Sequence, residues 1–95
     1  MVIAYAVFDL HFPGSRGLKE KRMILRSLKS RIRGQFDVSV AEVDDQDLLQ
    51  RCCLAVAAVG PHQPPLDALL QRILAFVEQN LDGEILAYEN EFLHV

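Results

Sequence analysis

Tryptophan is absent from this 95-residue chain, and cysteine occurs only twice, at the adjacent positions Cys52 and Cys53. Neighbouring side chains of a strand point to opposite faces, which disfavours a bridge between these two. With no second pair, neither a CxxC redox motif nor a cysteine zinc site is available, and both read as small buried hydrophobes in a reducing cytoplasm. Histidine is also sparse. His11, His62 and His94 are scattered, form no HxxxH pair and predict no metal site. Long apolar runs are missing: none approaches the ~20 residues of a membrane span. Residues 2–8 are apolar, but they lack a basic leader and run into Asp9, which argues against a signal peptide. The expectation is one small cytoplasmic domain over residues 1–95, with a single core, no cofactor and no membrane attachment.

Positive charge is scarce everywhere except in one window. Arg16, Lys19, Lys21, Arg22, Arg26, Lys29, Arg31 and Arg33 hold eight of the ten basic residues, with Glu20 as the only acid among them. That stretch carries +7. The remainder holds two cations and twelve acids, −10, so the net charge of −3 conceals a dipolar molecule. Such asymmetry suggests a polyanionic partner on one side and solvated acid on the other.

Periodicity predicts six elements. Residues 2–12 alternate as a strand, with Val2, Ala4, Ala6, Phe8, Leu10 and Phe12 on one face and Ile3, Tyr5, Val7, Asp9 and His11 on the other. A turn over 13–17 leads into a helix over 18–33, with Gly34 expected as its C-cap. Residues 36–43 form a second strand with Phe36, Val38 and Val40 inward. An acidic connection, Asp44 to Asp47, precedes the nearly continuous apolar run 51–59, which fits a strand buried on both sides. Two prolines open a second helix over 64–80, and 84–93 is the last strand. The order β-α-β-β-α-β is that of an α+β, ferredoxin-like fold: an antiparallel sheet with strand order 4-1-3-2 and both helices on one face. Right-handed crossovers place strands one and three centrally.

On the first helix Lys19, Arg22, Arg26, Lys29 and Arg33 recur at i, i+3, i+7, i+10 and i+14, making one stripe about four turns long. Five cations along ~20 Å suit a phosphate backbone, with arginine able to bind bidentately. The alternative is a solvated face whose cations are paired by Glu42, Glu78 or the acidic connection. Glu20, the helix's only acid, cannot pair them all. Lys21 instead projects into the apolar arc of Leu18, Ile24, Leu25, Leu28 and Ile32. Either its ammonium snorkels past the sheet end toward residues 11–16, meeting Asp9, or it contacts a ligand there. With Arg16 at the helix start, the candidate nucleic-acid-binding set is Arg16, Lys19, Lys21, Arg22, Arg26, Lys29 and Arg33. Asp9 and His11 share a strand face and form a possible polar cluster without an adjacent nucleophile. Gly14 to Gly17 matches GxxG, but here it follows a strand rather than joining two helices as in KH domains. The acidic connection lacks the glycine and terminal glutamate of an EF-hand loop. The sheet face opposite the helices offers at most Tyr5 and Tyr88 among acids, rather than the aromatics and cations of an RRM. Its apolar strip near Ile3, Tyr5 and Val7 could be covered by a second subunit.

Leu18-Lys19-Glu20-Lys21-Arg22, together with Val38-Ser39-Val40-Ala41-Glu42-Val43-Asp44-Asp45-Gln46-Asp47, resembles the YlxP-like family, a bacterial domain of unknown function (number 503). The resemblance extends over nearly the whole chain. In that family a serine and an acid form a capping box at the helix start. Here Gly17 takes the serine position and Glu20 remains, while Asp45 and Leu49 stand where the family tends to have histidine and tryptophan. The resemblance implies a ferredoxin-like fold and no established activity. It also implies a genomic setting beside ribosome-binding factor A and translation initiation factor two, pointing to translation or ribosome maturation.

The leading expectation is therefore a non-catalytic RNA- or ribosome-associated protein using the basic helix. An interaction module, a homodimer with an acidic protein partner, stands second. A small enzyme working at Asp9, His11 and Lys21 stands third.

Overall fold

The computed structural model describes residues 1–14, 17–44 and 48–95. Six elements follow in the order β1 (Val2–His11), α1 (Leu18–Gln35), β2 (Ser39–Asp44), β3 (Arg51–Gly60), α2 (Gln63–Asn80) and β4 (Glu84–His94). The strands form one antiparallel sheet, β2-β3-β1-β4, which is the expected order 4-1-3-2 read from the other edge. Two paired central strands between two edge strands, with α1 beside β2 and α2 over β1, β3 and β4, give the ferredoxin-like α+β arrangement.

Strict alternation builds the core. Val2, Ala4, Ala6, Phe8 and Leu10 of β1, and Cys52, Leu54, Val56 and Ala58 of β3, are buried beneath the helices. The intervening residues turn to the open sheet face and stay partly exposed, because none of the described residues covers it; β3 is therefore buried on one side rather than on both. Leu25, Leu28 and Ile32 of α1, with Leu66, Leu70, Ile73 and Val77 of α2, close the other side. Their spacing of three or four residues is the inward face of a helix. Phe8 packs on Tyr88 with ring centroids 5.0 Å apart, which puts Tyr88 on the helix side of the sheet and leaves Tyr5 without it on the open face; Phe36 meets Phe76 edge-on at 5.7 Å.

Two boundaries differ from the sequence reading. Gly34 does not cap α1. The helix runs through it to Gln35, and Phe36 closes it in an extended conformation, donating its N–H to the Ile32 carbonyl at 2.9 Å. β2 begins at Ser39 rather than at residue 36. Phe36 is drawn to Phe76, so the segment before Ser39 is a connection between helix and sheet.

Both edges of the sheet are bulged. β4 carries Leu86 as an extra residue between the pairs Asp9–Ala87 and Leu10–Ile85, and β2 carries Val43 between Glu42–Leu54 and Asp44–Cys53. Bulges at edges twist the backbone away from further pairing. Gly83, just before β4, sits where a Cβ would collide with the His11 carbonyl oxygen. Glycine there lets β4 come in against the end of β1.

Candidate nucleic-acid interface

The buried positions of α1 are Lys21, Leu25, Leu28 and Ile32. The cationic stripe lies one position further round, so burying the apolar face turns the stripe toward the β2 flank. Its two halves differ. Lys19, Arg22 and Arg26, in the N-terminal half, are exposed, and none makes an ion pair among the described residues. Lys29 and Arg33 are tied to β2: Lys29 Nζ lies 2.9 Å from Glu42 Oε2, and Arg33 donates to the Val40 carbonyl at 2.8 Å. The pairing reading drawn from the sequence thus holds at Glu42. The positive end of the helix dipole adds to the three outer cations. Arg16 lies outside the described residues, as do Asp45 to Asp47 of the acidic connection.

Lys21 is set apart from the stripe. It is 1% exposed and donates from Nζ to the Leu48 carbonyl in the β2–β3 connection. It does not run toward Asp9. Lys21 sits on the helix side of the sheet, whereas Asp9 alternates onto the open face, so the sheet stands between them. Asp9 instead takes Arg51, with Arg51 Nη2 at 2.7 Å from Asp9 Oδ2, and His11 Nδ1 lies 3.3 Å from Glu84 Oε1. Asp9 and His11 share the open face of β1, but each has its own partner, Arg51 and Glu84, and Lys21 joins neither pair. Arg51 went unassigned in the sequence reading. Its signal was there: it opens β3, two residues before Cys53, which pairs with Asp9 in register. Arg31 was also unassigned. It donates to Asn80 Oδ1 at 2.6 Å and stands 5.3 Å over the Phe76 ring, joining the C-terminal ends of the two helices.

The two thiols differ in their surroundings. Burial, with Glu42 adding to it, pushes the Cys52 thiol up to about 12, so it stays neutral. Cys53 faces the open side, in a hollow of about 310 Å³ lined also by Val7, Asp9, Asp44, Ala87 and Glu89. That lining is acidic, the wrong sign for a phosphate. Among the described residues no three His, Cys, Asp or Glu side chains gather as a metal site, and no described helix is long and apolar enough to cross a membrane. What the geometry offers is a convex ridge of exposed cations on α1, suited to an extended anion.

The family model for a protein of unknown function, DUF503, matches residues 3–90. The chain belongs to the DUF503 family. This DUF503 protein is 34% identical over 77 residues to the uncharacterized protein YlxP of Bacillus subtilis (strain 168), a match covering 81% of this chain and 84% of the relative. The matched span takes in both helices and all of the sheet except its outermost residues, so the family shares the scaffold that carries the stripe.

Proposed function

We propose that this DUF503 protein is a non-catalytic, cytoplasmic RNA-binding protein that associates with the ribosome through the N-terminal half of α1. The observation that carries this reading is the exposed trio Lys19, Arg22 and Arg26, at i, i+3 and i+7, with no ion pair among the described residues, in a chain whose net charge is −3. A cationic ridge kept open against that overall charge is suited to phosphate, and the three side chains act as backbone contacts with no sequence readout. Lys29 and Arg33 lie at the margins of the contact, and Lys21 supports the helix from beneath.

The test is binding to ribosomes and to single-stranded RNA as salt is raised. Three phosphate contacts give a log–log slope near −2, about a twentyfold loss between roughly 50 and 200 mM salt; five contacts would give about a hundredfold loss. The double variant Arg22→Glu, Arg26→Glu is expected to abolish binding and leave the fold intact, because both side chains are exposed. Arg72→Glu, on α2, is the control and should bind as the wild type. Unchanged association in the double variant refutes the reading and leaves an acidic protein as the alternative partner of this helix.

A further inference from the structure

The open face of the sheet divides lengthwise into two unlike halves. β1 and β4 present bulky side chains there. Ile3, Tyr5 and Val7 stand along β1, and Tyr5 leans to β4, where its hydroxyl donates to Glu91 at 2.6 Å. β3 and β2 present small ones: Ala57 opposite Tyr5, Ala55 opposite Val7, and then Ser39 and Ala41 on β2. The apolar end is capped by Ile3 between Leu93 and Val59, which are 46% and 66% exposed. A raised half beside a recessed half is complementary to itself.

We propose that this face binds a second copy of the chain, about a two-fold axis running along the strands between β1 and β3. That operation lays each β1 over the other copy's β3 and each β4 over its β2. Tyr5 then stands over the partner's Ala57 and Val7 over the partner's Ala55, filling the recessed half from both sides. A two-fold across the strands is disfavoured. It sets bulky half on bulky half and brings the acids Glu89 and Glu91 against their own copies, with like charges desolvated together.

Two further observations fit a second copy. Strands of six, ten, ten and eleven residues at ~3.3 Å rise, side by side at ~4.8 Å, give a face of about 600 Å². Two such faces bury about 1,200 Å², the lower limit of a stable interface. At the polar end, Asp9 Oδ1 and Arg51 Nε are buried without a hydrogen-bond partner among the described residues. The proposed axis brings the partner's Cys53 and the partner's Arg51 to Asp9, and the partner's His11 to Arg51. Groups left unsatisfied within one copy thus acquire polar neighbours in the pair.

Sedimentation velocity over about 1 to 100 μM is expected to show a species of twice the 10.7 kDa chain mass, with the monomer appearing on dilution. Ala57→Glu places a carboxylate under the partner's Tyr5 and should weaken association by at least about a hundredfold, with the circular dichroism spectrum unchanged. If Ala57→Glu does not fold, Ala55→Leu serves: it fills the recess and should weaken association by at least about tenfold. Ser30→Glu, exposed on α1, should change nothing. Glu91→Gln separates the two axes. The axis along the strands predicts little change, whereas tighter association would mean that acid faced acid. A wild type monomeric at about 100 μM, a folded Ala57→Glu that dimerises normally, or a Glu91→Gln that dimerises more tightly each overturns the proposal.

Discussion

Replacing Lys21 tests whether a cation can serve as a core residue. Its side chain is 1% exposed among Leu25 and Leu28, and its ammonium reaches the Leu48 carbonyl. Lys21→Ala removes a buried four-carbon stem, and truncations of that size in a core cost about 2–5 kcal/mol. The lost charged hydrogen bond adds to this, offset by the relief of desolvating the ammonium. A net loss of about 3 kcal/mol is expected, roughly 12–24 °C in thermal midpoint for a domain of this size. Lys21→Met keeps the stem and gives up only the ammonium. Leu48 is half exposed, so water can take over its carbonyl, and the cost should stay near 1 kcal/mol. The chain has no tryptophan, so urea unfolding is best followed by far-ultraviolet circular dichroism, comparing midpoints at constant slope. A Lys21→Ala variant within about 0.5 kcal/mol of the wild type would show that the stem is not packed in solution and would refute the reasoning. Equal losses in both variants would shift the role from the stem to the ammonium. Folded Lys21→Met should keep its affinity for RNA, since the side chain lies beneath the proposed contact surface.

Gly83→Ala should destabilise the protein by about 1–3 kcal/mol, because the added methyl meets the His11 backbone and the Phe12 ring, which cannot both retreat; a neutral result by urea unfolding would mean that β4 approaches β1 less closely. Gly17→Ser should raise the thermal midpoint slightly, by a few tenths of a kcal/mol, because Gly17 is the extended N-cap of α1 with open space at its Cβ and Glu20 completes the capping box; a clear loss would place the helix start elsewhere. In an ultraviolet titration neither tyrosine should ionise at its ordinary value of 10.0, since Tyr5 is held up by its hydrogen bond to Glu91 and Tyr88 by burial; Glu91→Gln should lower the Tyr5 value and leave Tyr88 unmoved. Tyr5, Tyr88 and the Cys52 thiol are all favoured neutral in the folded state, so the stability they contribute is complete below pH 9, the thiol's ordinary value. It falls as pH rises toward about 12; constant stability from pH 9 to 11 would contradict these shifts.

The fold was legible because its signals are periodic. Alternation in β1 and β3 and the helical spacing in α1 and α2 each chose one face, and Leu25, Leu28, Val56, Leu70, Ile73 and Val77 are all buried as that spacing requires. Helix ends were less legible. Gly34 looked like a terminator, but its neighbour Phe36 had a packing partner in Phe76, and tertiary contact decided where the chain turned. At the site, spacing alone put the five cations in one stripe. It could not tell Arg22 and Arg26 from Lys29 and Arg33, because that difference depends on which acid and which carbonyl the neighbouring edge strand presents. Lys21 illustrates the same limit. Its place on the apolar arc was readable, but an acceptor it reaches, the Leu48 carbonyl, lies 27 residues away in sequence.

The charged end of the open face also bears on how faithfully the sheet assembles. A one-residue slip turns a strand inside out, and in this protein the penalty is low along most of the central pair. Ile3, Tyr5 and Val7 are nearly as apolar as the residues they would replace, and so are Cys53, Ala55 and Ala57. Only Asp9 and His11 on β1 and Arg51 on β3 would be carried into the core by such a slip. These few polar residues therefore act as a key for strand register, whatever their small contribution to equilibrium stability. Replacing Asp9 and Arg51 together with leucine should leave the native state about as stable once formed, yet lower the yield of refolding, because mispaired sheets would no longer be rejected by a buried charge.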